Sequence, residues 1–206
     1  MKVLLINGSP RKDGCTFTAL REVAGALEKS GIETNIVHMG SKPIAGCIAC
    51  RKCLNTGYCV LTNDPVNEFI DLLKQSDGLV VGSPVYFASP NGALLSLLDR
   101  MFYYKSEPYA LKPAAAVVSC RRAGTTASLD VLNKYFSYSS MPIVSSVYWN
   151  MVHGNTPDEV RQDKEGLQIM RMLGKNMAWL LQSIEAGKNS VPVPERESKE
   201  RTNFIR

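Results

Sequence analysis

The sequence predicts an α/β fold, a doubly wound sheet of five parallel strands with helices on both faces. Three observations carry this reading. Short apolar, β-branched runs recur along the 206 residues, segments with a 3.6-residue apolar period lie between them, and turns rich in Gly, Ser and Pro separate the two. No internal repeat or low-complexity tract interrupts the alternation. The chain therefore reads as one domain, residues 1–187, followed by an extended Pro- and charge-rich arm, residues 188–206.

The elements come in order along the chain. "KVLLIN" (Lys2 to Asn7) is too short for a helix and runs straight into "GSPRKDG", as a buried parallel strand does. Helical spacing comes next: Leu20, Val23, Ala24 and Leu27 share a face, Thr16 stands where a cap is needed, and Gly31 ends the run. "TNIVHM" is the second strand, and the third to fifth fall at Gly78 to Pro84, Pro113 to Ser119 and Pro142 to Trp149. Helices are predicted at Asp64 to Ser76, Asn91 to Tyr104, Thr126 to Tyr138 and, as one long element, Pro157 to Glu185. Asp158, Glu159, Asp163 and Glu165 read as solvated carboxylates at the start of that last helix, and Trp179 as a packing residue.

Composition narrows the function. The net charge of +5 is scattered, with no basic stripe interleaved with aromatics, which argues against a nucleic-acid partner. No run of about 18 apolar residues and no secretory pattern occurs, so neither a membrane span nor export is expected and the reading is cytoplasmic. His38 and His153 stand far apart with no acidic pattern around them and receive no catalytic role.

Doubly wound sheets bind ligands beyond the carboxyl ends of their strands, so the loops after strands matter. "GSPRKDGCT" (Gly8 to Thr16) is neither a dinucleotide fingerprint nor a P-loop, but it offers Ser9, Arg11 and a helix N-terminus to a phosphate. The alternative is a plain turn with a helix cap. "GSPVYFASPNG" (Gly82 to Gly92) places Tyr86 and Phe87 beside the switch point, either as a wall for a flat ring or packed beneath the loop. "SCRRAGTTA" (Ser119 to Ala127) adds Arg121 or Arg122 for negative charge and Gly124 for close approach.

Four of the six cysteines, Cys47, Cys50, Cys53 and Cys59, have the spacing C-x2-C-x2-C-x5-C. In a reducing compartment such density suggests a metal, cluster or redox site rather than a disulfide framework. Short loops of this kind let successive thiolates face one iron–sulfur cubane. Zinc is a lesser alternative, since zinc knuckles more often separate their pairs, and thiols packed under a short helix are another. Cys15 and Cys120 lie outside the motif and read as buried thiols.

Taken together, "GSPRKDGCT", "GSPVYF", the cysteine segment with "NDP" after it and the closing "TNFIR" resemble the NADPH-dependent FMN reductases of flavodoxin-like fold, and particularly their iron–sulfur flavoprotein branch. The resemblance spans nearly the whole chain. It implies the strand order 2-1-3-4-5, with FMN at the carboxyl edge. The FMN phosphate would be held by Ser9, Arg11, Cys15, Thr16 and Phe17; the ring and ribityl chain would be bordered by Pro84, Val85, Tyr86 and Phe87 and closed by Ser119, Arg121 and Gly124. Relatives often carry "NT" where this chain has Cys15 and Thr16, and two acidic residues where it has Asn63 and Asp64. The implied activity is transfer of electrons from NAD(P)H through FMN to a quinone, a nitro or azo compound, or free flavin. The alternative is an electron-transfer protein linking FMN, a [4Fe-4S] cluster on Cys47, Cys50, Cys53 and Cys59, and a protein partner. A homodimer or homotetramer is expected, with Phe204 and Ile205 of the arm docked on a neighbour.

Overall fold

A computed structural model describes residues 1–103 and 108–198, together with 200, 202 and 204. Its elements are β1 (Lys2–Asn7), α1 (Cys15–Lys29), β2 (Glu33–His38), α2 (Cys53–Thr56), α3 (Val66–Lys74), β3 (Gly78–Tyr86), β4 (Ser89–Pro90), α4 (Gly92–Phe102), β5 (Ala114–Cys120), α5 (Thr125–Tyr138), β6 (Met151–His153), α6 (Pro157–Gln162) and α7 (Lys164–Gly187). Tyr104 and Ile205, which the sequence reading assigned to a helix end and to the docking arm, lie outside the described residues.

Five strands pair in parallel in the order β2-β1-β3-β5-β6, and the two-residue β4 turns back antiparallel on β3. Counting the parallel strands alone, this is the flavodoxin-like order 2-1-3-4-5. Both faces are covered, so successive residues of a strand enter different cores. Leu4, Ile6, Leu79, Val81, Ala116 and Val118 pack with α3, α4 and α5. Val3, Leu5, Val80, Ala115 and Val117 pack with α1 and α7. That two-sided burial is why these strands read as continuous apolar runs.

Five expectations are corrected. The fifth strand is not Pro142 to Trp149. The edge segment bridges β5 at Ile143, opposite Ala114, and pairs again only from Met151, opposite Val118. Between those points the edge advances twice as far along the chain as β5 does. The excess loops out because Ser146 Oγ donates to the carbonyl of Tyr148 and bonds Asn150 Oδ1, a local alternative to the ladder. The long last helix is two. Asp163 breaks it with ψ of 77°, accepts from Gly166 N–H at 2.9 Å as the cap of α7, and accepts from His153 N–H at 2.7 Å. It is thus a joint between β6 and α7 rather than a solvated carboxylate. Thr16 is not the cap of α1; Gly14 holds that position, and Thr16 is buried one residue inside the helix. Trp179 is 67% exposed on α7, so it is not a packing residue in the isolated chain.

Asp163→Ala removes both bonds at once and is expected to lower stability by roughly 1–3 kcal/mol in urea unfolding. A loss near zero would show that β6 and α7 hold their places without the carboxylate.

Candidate functional site

The loops after β1, β3 and β5 leave the same edge of the sheet, and direct contacts lock them together. Gly8 N–H donates to Gly82 O at 2.9 Å, carrying the β1–β3 pairing one step beyond the strand. Asn91 joins the first two loops: its Nδ2 donates to Gly8 O at 2.8 Å while its Oδ1 caps α4 by accepting from Ala93 N–H at 3.0 Å. Ser83 Oγ, fully buried, accepts from Asn91 N–H at 3.0 Å. Thr16 Oγ1 and Ser119 Oγ lie 2.8 Å apart and join the first loop to the third.

Within the first loop, Ser9 is buried and its Oγ accepts from Arg11 N–H at 3.1 Å, while its carbonyl meets His38 Nε2 at 2.8 Å. His38, given no role from sequence, therefore supports this loop. The loop leads into α1, whose first turn carries no acidic residue and whose cap Gly14 offers no side-chain acceptor. Main-chain N–H groups and a positive helix end are left for an anion, with the exposed Arg11 beside them. Cys15 turns its thiol toward Gly154 O at 3.6 Å, and burial pushes that thiol's pKa up. Its contribution to the loop face is therefore main-chain. Phe17 is half-buried.

The second loop is a two-residue hairpin turn between β3 and β4, with Tyr86 opposite Ser89. Its central residues are Phe87 and Ala88, with φ of 51° and 58°. Such turns favour Gly and Asn, and a bulky side chain at positive φ is strained. Phe87 is fully exposed and Tyr86 is 47% exposed, so the aromatics do not pack beneath the loop. Pro84 and Val85 are half-buried behind them.

The third loop leans on that hairpin. Gly124 has φ of 89° and caps α5, and a Cβ added there would lie 2.7 Å from Ala88 Cα and 3.0 Å from Val85 Cγ1. Only glycine meets both demands. Arg121 is exposed, whereas Ser119 is buried with its hydroxyl engaged by Thr16, so Ser119 shapes the loop from below.

The cysteine segment lies between β2 and α3. Ala49 and Arg51 take φ of 51° and 59°, two left-handed steps that curl the chain between the first three cysteines, and Gly57 ends the one-turn α2. Cys47 and Cys50 are exposed; Cys53 and Cys59 are half-buried. Asn67 clamps Cys59 through both main-chain groups, at 2.8 and 2.9 Å. Arg100, on α4 and 2% exposed, reaches the same segment. Its Nε donates to Cys59 Sγ at 3.2 Å, its other nitrogens donate to Ala45 O at 3.1 Å and Leu61 O at 2.7 Å, and it forms an ion pair with the buried Asp64 carboxylate.

All four cysteines and Arg100 line one small cavity of about 20 Å³. Burial raises the Cys53 pKa, with further upward pushes from Cys59, Cys47 and Cys50. Among the described residues no three Cys, His, Asp or Glu side chains gather as a single bound ion requires. A lone zinc therefore does not fit the thiols as they stand. Four thiols lining one cavity match the donor chemistry of iron–sulfur ligation, while the cavity itself, about 20 Å³, is smaller than a cubane and would have to open to admit one. A larger concavity, about 920 Å³, opens beside the segment between Arg51, Leu54, Phe102, Tyr103 and Tyr135, away from the three loops.

Residues 1–156 match the family described as NADPH-dependent FMN reductase. The chain belongs to that family. It is 32% identical over 196 residues to an iron–sulfur flavoprotein of Methanocaldococcus jannaschii, an alignment covering 90% of this chain and 100% of that protein. It is 26% identical to an FMN reductase (NADPH) of Escherichia coli over 160 residues, 77% of this chain and 74% of the other. Among solved structures, RosB with a bound 8-demethyl-8-formylriboflavin-5'-phosphate intermediate superposes with a TM-score of 0.72 at 16% identity, covering 100% of this chain and 94% of that one. The last comparison shows the fold alone. Sequence reading missed Asn91, Ser83, His38, Asn67 and Arg100. Of these, Asn91 alone carried a local signal, as a cap before an apolar helix.

Gly124→Ala forces a strained φ and a clash with Ala88 at once, and is expected to lower stability by about 1–3 kcal/mol in chemical unfolding. An unchanged midpoint would mean that the third loop does not rest on the hairpin.

Proposed function

We propose that the protein is an FMN-dependent oxidoreductase that draws electrons from NAD(P)H and delivers them to a small-molecule acceptor: a quinone, a nitro or azo compound, or free flavin. The observation that carries this reading is the mutual locking of three loops, Asn91 to Gly8, Thr16 to Ser119 and Gly124 to Ala88, beside an α1 N-terminus whose first turn carries no acidic residue. Fixed loops lose little freedom when a ligand binds. Bound FMN supplies the hydride chemistry, which leaves the protein to position the ring and tune its electronics.

The residues divide that work. Ser9 shapes the first loop, main-chain N–H groups of Cys15, Thr16 and Phe17 would hold the phosphate, and Arg11 would add a charge-assisted bond. Pro84, Val85 and Tyr86 border the ring, with Phe87 exposed at the tip where an incoming partner can meet it. Arg121, exposed on the third loop, would meet negative charge on the ring, and Ser119 and Gly124 hold the third loop against the other two.

Arg11→Ala is expected to weaken FMN binding about tenfold to a hundredfold, read by quenching of flavin fluorescence on titration. A wild-type protein that binds no FMN and oxidises no NAD(P)H would sink the proposal.

A second reading has its own support. Four thiols lining one cavity, with a relative named as an iron–sulfur flavoprotein, support a [4Fe-4S] centre on Cys47, Cys50, Cys53 and Cys59 and an electron-transfer role toward a protein partner. Iron and acid-labile sulfide measured on anaerobically purified protein decide between the readings. Assembly into a homodimer or homotetramer belongs to the same proposal, and the C-terminal arm, where Val191 and Val193 are exposed, is the segment offered for it. Removal of residues 191–206 is expected to lower the mass seen by light scattering; an unchanged mass rules out docking by the arm.

A further inference from the structure

Arg100 is the largest fully buried side chain among the described residues, and it serves no helix or strand. All its directed bonds go to the stretch from Ala45 to Asp64, which contains the four cysteines: Cys59 Sγ, the carbonyls of Ala45 and Leu61, and the Asp64 carboxylate. A guanidinium is always charged and its fork of donors is rigid. Its position therefore fixes two things, where Cys59 sulfur stands and what charge faces it.

The thiols differ in this respect. Cys47 and Cys50 are exposed to water, which screens them. Cys59 is half-buried and clamped at its backbone by Asn67, and among the described residues it is the cysteine of the four whose sulfur accepts from a cationic donor. A hydrogen bond from a charged group to a cluster sulfur is among the factors that set a cluster's potential, together with net charge and solvent exposure.

We propose that Arg100 is a positioning residue that raises the reduction potential of an iron–sulfur centre ligated through Cys59, with Asp64 opposing it by partly cancelling its charge. This rests on the iron–sulfur reading of the segment. The chemistry is a one-electron step. A centre bound there would take one electron from a one-electron donor such as reduced flavin and gain one negative charge, with no bond to Cys59 broken. A buried positive charge beside the sulfur favours the more negative state. Asp64, buried with Arg100, acts in the opposite direction. The pair thus poises the centre, and it does so from α4, which belongs to the domain core rather than to the cysteine loop.

The test uses the full chain purified without oxygen. Iron and acid-labile sulfide are assayed first, and midpoint potentials are then measured by dithionite titration monitored by electron paramagnetic resonance. Arg100→Gln is expected to lower the midpoint, Arg100→Lys to lower it less because the charge is kept, and Asp64→Asn to raise it. Opposite shifts on removing the two partners are what a merely structural clamp would not give. If Arg100→Gln loses its cluster or fails to fold, Asp64→Asn decides, since it keeps the Nε–H to sulfur bond; a raised midpoint supports the proposal and an unchanged or lowered one overturns it. Variants that keep iron and share the wild-type midpoint also overturn it. Wild-type protein without iron and sulfide overturns the cluster reading itself and this inference with it, and that result is distinct from a cluster whose potential ignores Arg100.

Discussion

The structure depends on one constraint: a parallel sheet buried on both faces. Parallel neighbours cannot be joined by a hairpin, so each strand leads into a crossover that returns the chain to the starting edge. Every loop after a strand then emerges at the opposite edge. Adjacent strands lie about 4.8 Å apart, so the loops after β1, β3 and β5 have no room to be independent. Asn91 reaching Gly8, Thr16 reaching Ser119 and Gly124 resting on Ala88 are consequences of that crowding.

Strain sits where the three loops meet. Phe87 and Ala88 hold left-handed conformations that Gly or Asn would adopt more cheaply. Residues kept in such conformations cluster at sites where geometry serves a ligand. Here the strain also has a mechanical reason. A tight turn lets β4 fold back on β3, which carries Pro90 into the buried layer and sets Asn91 at the head of α4, where one side chain both caps the helix and holds the first loop. The exposed Phe87 is what the turn leaves outside.

The cysteine segment is held differently. Between β2 and α3 it has a one-turn helix and no strand, so no ladder fixes it. Its order comes from polar groups reaching in from neighbouring helices: Asn67 from α3 and Arg100 from α4. A buried charge is unfavourable unless it is paired and its donors are satisfied. Arg100 meets that requirement with Asp64, two carbonyls and a sulfur, and few other arrangements of the segment would do so. Specificity of geometry, rather than net stability, is what such a pair contributes.

The strand order came only from the family resemblance; the sequence by itself determined the class of fold, the number of parallel strands and the loops that follow them, because strand burial and helix period leave their pattern in neighbouring residues. It also marked Ser9, Arg11, Tyr86, Phe87 and Gly124 as candidates, since each stands in a turn whose composition is local information. Where the pattern was ambiguous it misled. "PIVSSVYW" has the composition of a strand, yet Ser146 bonds its own neighbours and the edge pairs later, at Met151; the helical period after Pro157 does not reveal that Asp163 breaks it. Only the tertiary structure decided that Ser119 and Thr16 face each other, that Cys15 turns away from the loop face, and that Arg100 meets Cys59 forty-one residues away in sequence. Such pairings depend on which elements pack together. A side chain carries no mark of a partner that only the folded chain brings within reach.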